Sequence, residues 1–161
     1  MIRINIICVG KLKEKYLRDA SAEYEKRLSG FCKLSIIEIS ESKLPSEPND
    51  KEIQKALHSE GEAMMPYLDT NNCYNIAMCI EGQQMPSEKL SKTIEQCSVQ
   101  GSGTINLIIG SSFGIADEIK QKADLSLSMS EMTFPHQLAR IMLLEQVYRA
   151  FQISVGSRYH K

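Results

Sequence analysis

Two short runs in the last third of the chain combine residue types that can hold a small ligand. The first, Gly110-Ser111-Ser112-Phe113-Gly114, follows an apolar stretch. Its glycines permit positive φ and let a ligand approach the backbone closely. It is neither a GxGxxG fingerprint nor a phosphate loop ending in GK[ST], so dinucleotides and triphosphates have no motif here. Alone, such a run reads as a tight strand-to-helix turn. The second, Ser128-Met129-Ser130-Glu131-Met132-Thr133-Phe134-Pro135, mixes small polar residues with Met and Phe. That composition suits an adenine ring with a polar tail. A helix N-cap supplied by Thr133 accounts for the polar residues without a ligand, and on the residues alone it is the better reading.

Three histidines are available for proton transfer. His136 follows Pro135 at the start of a helical pattern, His58 lies on a charged helix and reads as solvent-facing, and His160 belongs to the terminal Ser157-Arg158-Tyr159-His160-Lys161. A lone histidine is more often structural than catalytic, and a terminal tail is by default frayed. Arg, Tyr, His and Lys together can also grip phosphates and stack on bases. No Asp, Glu, His and Cys cluster has metal-ligand spacing, so no metal is expected. No Ser-His-Asp or Cys-His arrangement stands out.

A chain of 161 residues is one domain by size, with 42% hydrophobic and 24% charged residues, close to the globular average. The first apolar run, residues 2–9, is interrupted by Arg3 and Asn5 and is too short to span a bilayer; no small-residue cleavage pattern follows it. The five cysteines form no CxxC pair, which fits free thiols in a reducing cytoplasm rather than a disulfide framework. Net charge is −1, but it is unevenly distributed. Residues 1–33 carry eight Lys/Arg against four Asp/Glu, residues 34–134 seven against fifteen, and residues 135–161 four against one. Two basic ends that meet in space make a basic face on an otherwise acidic protein; solvated helix faces give the same counts.

Period-2 and period-3.6 patterns alternate along the chain. Ile2, Ile4, Ile6 and Cys8 alternate as a strand up to Gly10; Leu12, Tyr16, Ala20, Tyr24 and Leu28 recur every fourth residue as a helix stripe. Residues 34–39 form a second strand, and 40–49, with Pro45 and Pro48, a loop. Asn49 and Glu52 make a capping box for a helix with Pro66 near its end. Residues 74–80 are a third strand, followed by a helix capped by Ser87. Residues 104–109 are the most continuous apolar strand, as for one buried on both faces. A short helix over 116–123, a strand over 125–129 and a long helix from Pro135 to Gly156 complete the chain. Five strands alternating with five helices predict a single-domain α/β fold: a parallel sheet with helices on both faces. Ligands in such sheets bind beyond the carboxyl ends of the strands, where both loops fall.

The runs 108–114 and 125–136, then Glu145-Gln-Val-Tyr-Arg-Ala-Phe151 and Tyr159-His-Lys161, resemble the ribosomal RNA large subunit methyltransferase H family, in the SPOUT class of knotted methyltransferases. The opening Val9-Gly-Lys-Leu-Lys-Glu-Lys-Tyr16 and Glu23-Tyr-Glu-Lys-Arg27 are similar to that family too, so the resemblance covers essentially the whole chain. It implies a cytoplasmic homodimer with a C-terminal trefoil knot. Its activity would be transfer of a methyl group from S-adenosylmethionine to N3 of a pseudouridine in 23S rRNA of the ribosome or large subunit. By position it puts the cofactor against Met78, Gly110, Met129, Ser130, Glu131, Met132, Thr133 and Phe134. Gly110 is retained where the family often has two glycines, with Ser111 in place of the second.

Methyl transfer from a sulfonium asks chiefly for alignment. The weakly acidic N3–H calls for an acceptor, for which His136, Glu145 and His160 are candidates. Arg140, Arg149, Arg158 and Tyr159 are candidate RNA contacts. The alternatives are a SPOUT-type methyltransferase of another RNA site, a non-catalytic ribosome-associated RNA-binding protein, and a nucleotide-binding α/β module, the last disfavoured by the missing phosphate loop.

Overall fold

Successive residues of a strand point to opposite faces of its sheet, and β1 (Arg3–Val9) obeys this closely. Ile4, Ile6 and Cys8 enter one buried cluster and Ile7 and Val9 another. A computed structural model describing residues 1–161 places β1 inside a five-stranded sheet of order β2-β1-β4-β3-β5, every neighbouring pair parallel. The remaining strands are β2 (Lys33–Ile39), β3 (Cys73–Gln83), β4 (Thr104–Ile109) and β5 (Leu125–Leu127). The helices are α1 (Lys15–Leu28), α2 (Asp50–Leu68), α3 (Ser87–Val99), α4 (Asp117–Lys122) and α5 (His136–Ser154). Helices α1, α3 and α5 cover one face, and α2 and α4 the other. The α/β architecture read from the sequence is therefore the observed one.

Local chemistry sets most boundaries. The Asn49 side chain accepts from the Glu52 N–H at 2.9 Å, and Glu52 in turn accepts from the Asn49 N–H, the expected capping box. Three expectations are corrected. The inward face of α1 is Leu17, Ser21 and Leu28, whereas Tyr16 is 69% exposed and Leu12 precedes the helix. The stripe of every fourth residue drifts around a helix of 3.6 residues per turn. Ser87 does not cap α3; its hydroxyl donates to Gln146 Oε1 of α5 at 2.6 Å. Nor does Thr133 cap α5, whose N-cap is Pro135 without a side-chain hydrogen bond.

A polar rung crosses the interior. Asn5, Asn106 and Asn75 stand in register on β1, β4 and β3. Asn5 donates to Asn106 Oδ1 and Asn106 to Asn75 Oδ1, both at 2.8 Å. The Asn106 amide also donates to the Tyr67 carbonyl, and Asn75 donates to that of Leu68, so the rung closes the last turn of α2. Asn106 is fully buried, and removing its amide strands the Asn75 and Tyr67 acceptors. Asn106→Ala is expected to lower unfolding free energy by about 2 kcal/mol or more in urea titration. A loss under about 0.5 kcal/mol, as for an ordinary surface change, would contradict this.

Candidate active site

The carboxyl ends of β3, β4 and β5 open into a cavity of about 760 Å³. The 110–114 loop forms one wall. Its Ser111 N–H donates to the Gly114 carbonyl at 3.1 Å, and the Gly114 N–H donates back at 2.9 Å, closing a tight turn. Gly114 carries the positive φ of that turn, +95°. Position 111 makes no such demand, so Ser111 costs the loop nothing there, and its hydroxyl accepts from the Phe113 N–H. Gly110 has a different reason to be glycine: a Cβ there would run into the Gly114 carbonyl group.

The opposite wall is the 128–135 segment. Ser128 is tied to β3 through its N–H and the Gln83 carbonyl, and its hydroxyl donates to the Ser130 carbonyl at 3.0 Å. Among the backbone N–H groups from 129 to 134, that of Met132 alone is bonded within the chain, to Ser130 Oγ. The others leave a set of unspent donors beside the cavity. Met78, Gly110, Met129, Ser130, Met132, Thr133, Phe134 and His136 all line it; Glu131 is exposed on the same segment but is not in the wall. Apolar side chains and loosely committed backbone groups together fit a flat heteroaromatic ring with a polar extension.

Residues not anticipated from the sequence also line the cavity. Glu81, at the end of β3, and Lys120, on α4, form an ion pair at 2.6 Å. The Lys120 hydrogen bond holds the Glu81 carboxyl below the ordinary carboxylate range. They are the cavity's only formal charges besides any on His136. A charged residue just past an apolar strand was the available signal for Glu81; Lys120 had none. Cys79 lines the cavity as well, and burial, then Glu81, pushes its thiol upward. Cys8 and Cys32 are pushed up to about 11 by burial, so these thiols stay protonated.

The candidate proton acceptors separate into two places. His136 stands at the cavity, whereas Glu145 lies nine residues, about 13 Å, further along α5. There the terminal segment docks rather than frays. Tyr159 donates to Glu145 Oε2 at 2.9 Å, and its ring meets Tyr148 edge-on at 5.0 Å. Arg149 pairs with Glu145 at 2.6 Å, and His160 bridges Arg149 and Glu88. Burial pushes the Glu145 carboxyl up, but hydrogen bonds from Tyr24, Tyr159 and Arg149 outweigh it and hold the group below its ordinary value.

Arg140 does not face solvent. It is 2% exposed, donating to Glu38 Oε2 and to the Gly10 carbonyl, each at 2.9 Å. The guanidinium therefore joins α5 to the ends of β2 and β1 and is not presented to a phosphate. Arg158 is exposed.

A family described as predicted SPOUT methyltransferase matches residues 2–160, and the chain belongs to that family. Among its curated relatives are proteins named ribosomal RNA large subunit methyltransferase H. That of Streptococcus gordonii strain Challis is 48% identical over 161 residues, covering 99% of this chain and all of the relative. One from Clostridium perfringens strain ATCC 13124 is 48% identical over 160 residues, and one from Bifidobacterium adolescentis 46%, with the same coverage.

Two outcomes follow from this geometry. Gly110→Ala should abolish ligand binding at the cavity by displacing the 110–114 turn and should lower the melting temperature, since its Cβ meets backbone rather than ligand. Wild-type melting and affinity together would refute that. The clasp at Glu145 has a definite pH sign: a depressed carboxyl stabilises above its unfolded value and loses that contribution as pH falls through the folded one. The NMR ring resonances of Tyr159 should keep the ring-current shift of its packing against Tyr148 at neutral pH and lose it only below the usual carboxylate range. Glu145→Gln should reduce that shift at neutral pH. A ring shift indifferent to both changes would show that the carboxylate does not hold the tail.

Proposed function

We propose that the chain transfers a methyl group from S-adenosylmethionine to N3 of a pseudouridine in 23S rRNA, acting in the cytoplasm as a homodimer on the large subunit or ribosome. The observation that carries this reading is the cavity beyond β3, β4 and β5, with its unspent backbone donors, in a chain whose full-length relatives are named for methylating large-subunit rRNA. The trefoil knot expected of the class is part of the same proposal. S-adenosylmethionine, when bound, supplies an electrophilic methyl on a positively charged sulfur.

The protein's own task is then to bind, orient and exclude water. Met78, Met129 and Phe134 offer apolar surface for the adenine, and the backbone of residues 129–134 offers donors and acceptors for its edge. Gly110 lets the 110–114 turn close beside the cavity, its missing Cβ leaving room for the Gly114 carbonyl group. At the N3–H of the target, His136 is the acceptor best placed to hold the proton, because it lines the cavity. Glu145 already accepts from Tyr159 and Arg149 and is kept ionised by them. His160 and Tyr159 belong to the tail, and with Arg158 and Arg149 they form the RNA-facing set.

Exposed Met132, Phe134 and Leu138 cluster by sequence at the cavity and the start of α5. An apolar surface of this kind favours a second copy of the chain, with the two cavities near the interface.

The cofactor reading is tested by isothermal titration calorimetry with S-adenosylmethionine, ATP and NAD. S-adenosylmethionine alone is expected to bind. Saturable binding of ATP or NAD without S-adenosylmethionine binding would overturn the proposal.

A further inference from the structure

The two basic ends of the chain meet in space. Arg140 of α5 donates to the Gly10 carbonyl, and the Lys13 N–H donates to Gln137 Oε1, each at 2.9 Å. Further along, the Arg27 guanidinium of α1 lies 5.8 Å from the centre of the Tyr148 ring of α5. Residues 1–33, with eight Lys/Arg against four Asp/Glu, therefore pack against residues 135–161, with four against one.

The charge is densest between β1 and α1. Residues 10–18, Gly-Lys-Leu-Lys-Glu-Lys-Tyr-Leu-Arg, hold four cations and one anion. Leu12 and Leu17 are buried, while Lys11, Lys13, Lys15 and Tyr16 are exposed. Arg18 turns back into the loop and donates to the Lys13 carbonyl at 2.6 Å and the Leu12 carbonyl at 3.3 Å. Lys15 is paired with Asp19, but Lys11 and Lys13 join none of the chain's ion pairs. Tyr16 is 69% exposed and joins none of the chain's aromatic pairs.

An ordinary solvated lysine face needs no such fastening. This loop is held by α5 at Gly10 and Lys13 and braced from within by Arg18. A backbone already fixed has less freedom to lose when its side chains meet a ligand. Its place is also specific. Gln137 adjoins His136, which lines the cavity, and Cys8 of β1 stands in register with Ile109, the residue before Gly110. The loop is thus a basic ledge beside the cavity, one strand away from the 110–114 turn.

We infer that this ledge holds the RNA strand that carries the target base. Lys11 and Lys13 contact its phosphates, and the Tyr16 ring stacks on an unpaired base. The assignment rests on the rRNA reading above. Cations that track a backbone, set beside an uncovered ring, are what single-stranded nucleic acid requires. An acidic protein segment would use the lysines and leave the ring idle.

Biolayer interferometry with the immobilised full chain tests the ledge, using 50S subunits and protein-free 23S rRNA over a potassium chloride series. Lys11→Gln and Lys13→Gln should each weaken binding to both and flatten the slope of log K against log salt by about 0.7, the value for one single-strand phosphate contact. Tyr16→Ala should weaken both by about fivefold or more with the slope unchanged, and Tyr16→Phe should keep wild-type affinity. None of these side chains lines the cavity, so calorimetric affinity for S-adenosylmethionine should stay within about twofold, which also reports an intact fold. Wild-type RNA affinity in the lysine variants or in Tyr16→Ala would overturn the proposal. Weakened binding to 50S subunits alone would give the ledge to a ribosomal protein, and a changed sedimenting mass in the variants would give it to a second copy of the chain; either result also overturns it. A wild-type protein that binds neither 50S subunits nor 23S rRNA would bring down the rRNA reading itself.

Discussion

The site depends on where α5 is fastened. Arg140 reaches from the first turns of that helix into the interior and ties it to Glu38 at the end of β2 and to the Gly10 carbonyl just past β1. Both lie on the far side of the sheet from β5, the opposite edge strand. Adjacent strands are about 4.8 Å apart, so the chain leaving β5 must cross the end of β3, roughly 10 Å, to reach α5, which packs against β4. Residues 128–135 make that journey. A segment stretched across strand ends cannot form ladder or helix hydrogen bonds of its own, and its backbone groups stay free for a ligand. The arginine that reads from sequence as a phosphate contact thus helps to fasten the helix that follows the cavity's second wall.

The two ends of the sheet divide the polar work. At the amino end, the asparagine rung satisfies itself and the last carbonyls of α2, leaving nothing for a ligand. At the carboxyl end, polar groups are left uncommitted: the N–H groups of residues 129–131, 133 and 134. Burial of both sheet faces by helices leaves the strand ends as the place where such groups collect. The tail, clasped by Glu145 and set edge-on against Tyr148, adds basic and aromatic side chains on the face that also carries α1 and α3.

Periodicity revealed nearly all of this architecture because the physical signals are local. Alternation in β1, the uninterrupted run of β4 and the Asn49–Glu52 box each depend on a few neighbouring residues. Both cavity loops were legible too, through their glycines and mixed composition. What could not be read was long-range pairing. Arg140 finds Glu38 102 residues away, and Asn5 finds Asn106 101 residues away, and neither partner leaves a trace in the spacing. Glu60 sat on a charged helix, where a glutamate is ordinarily solvated, until the loop after β2 folded over it. The reason for Gly110 was equally tertiary: its missing Cβ makes room for the chain's own Gly114 carbonyl group.

The central claim is that this cavity carries methyl transfer to one base of large-subunit RNA. Ribosomes and 50S subunits lacking the modification, incubated with the protein and S-adenosylmethionine bearing a deuterated methyl group, test it directly when the 23S rRNA is digested and its nucleosides are resolved by mass spectrometry. The account predicts deuterated methyl on a single nucleoside, pseudouridine, at N3. Label on another nucleoside, or none in any rRNA, would contradict it.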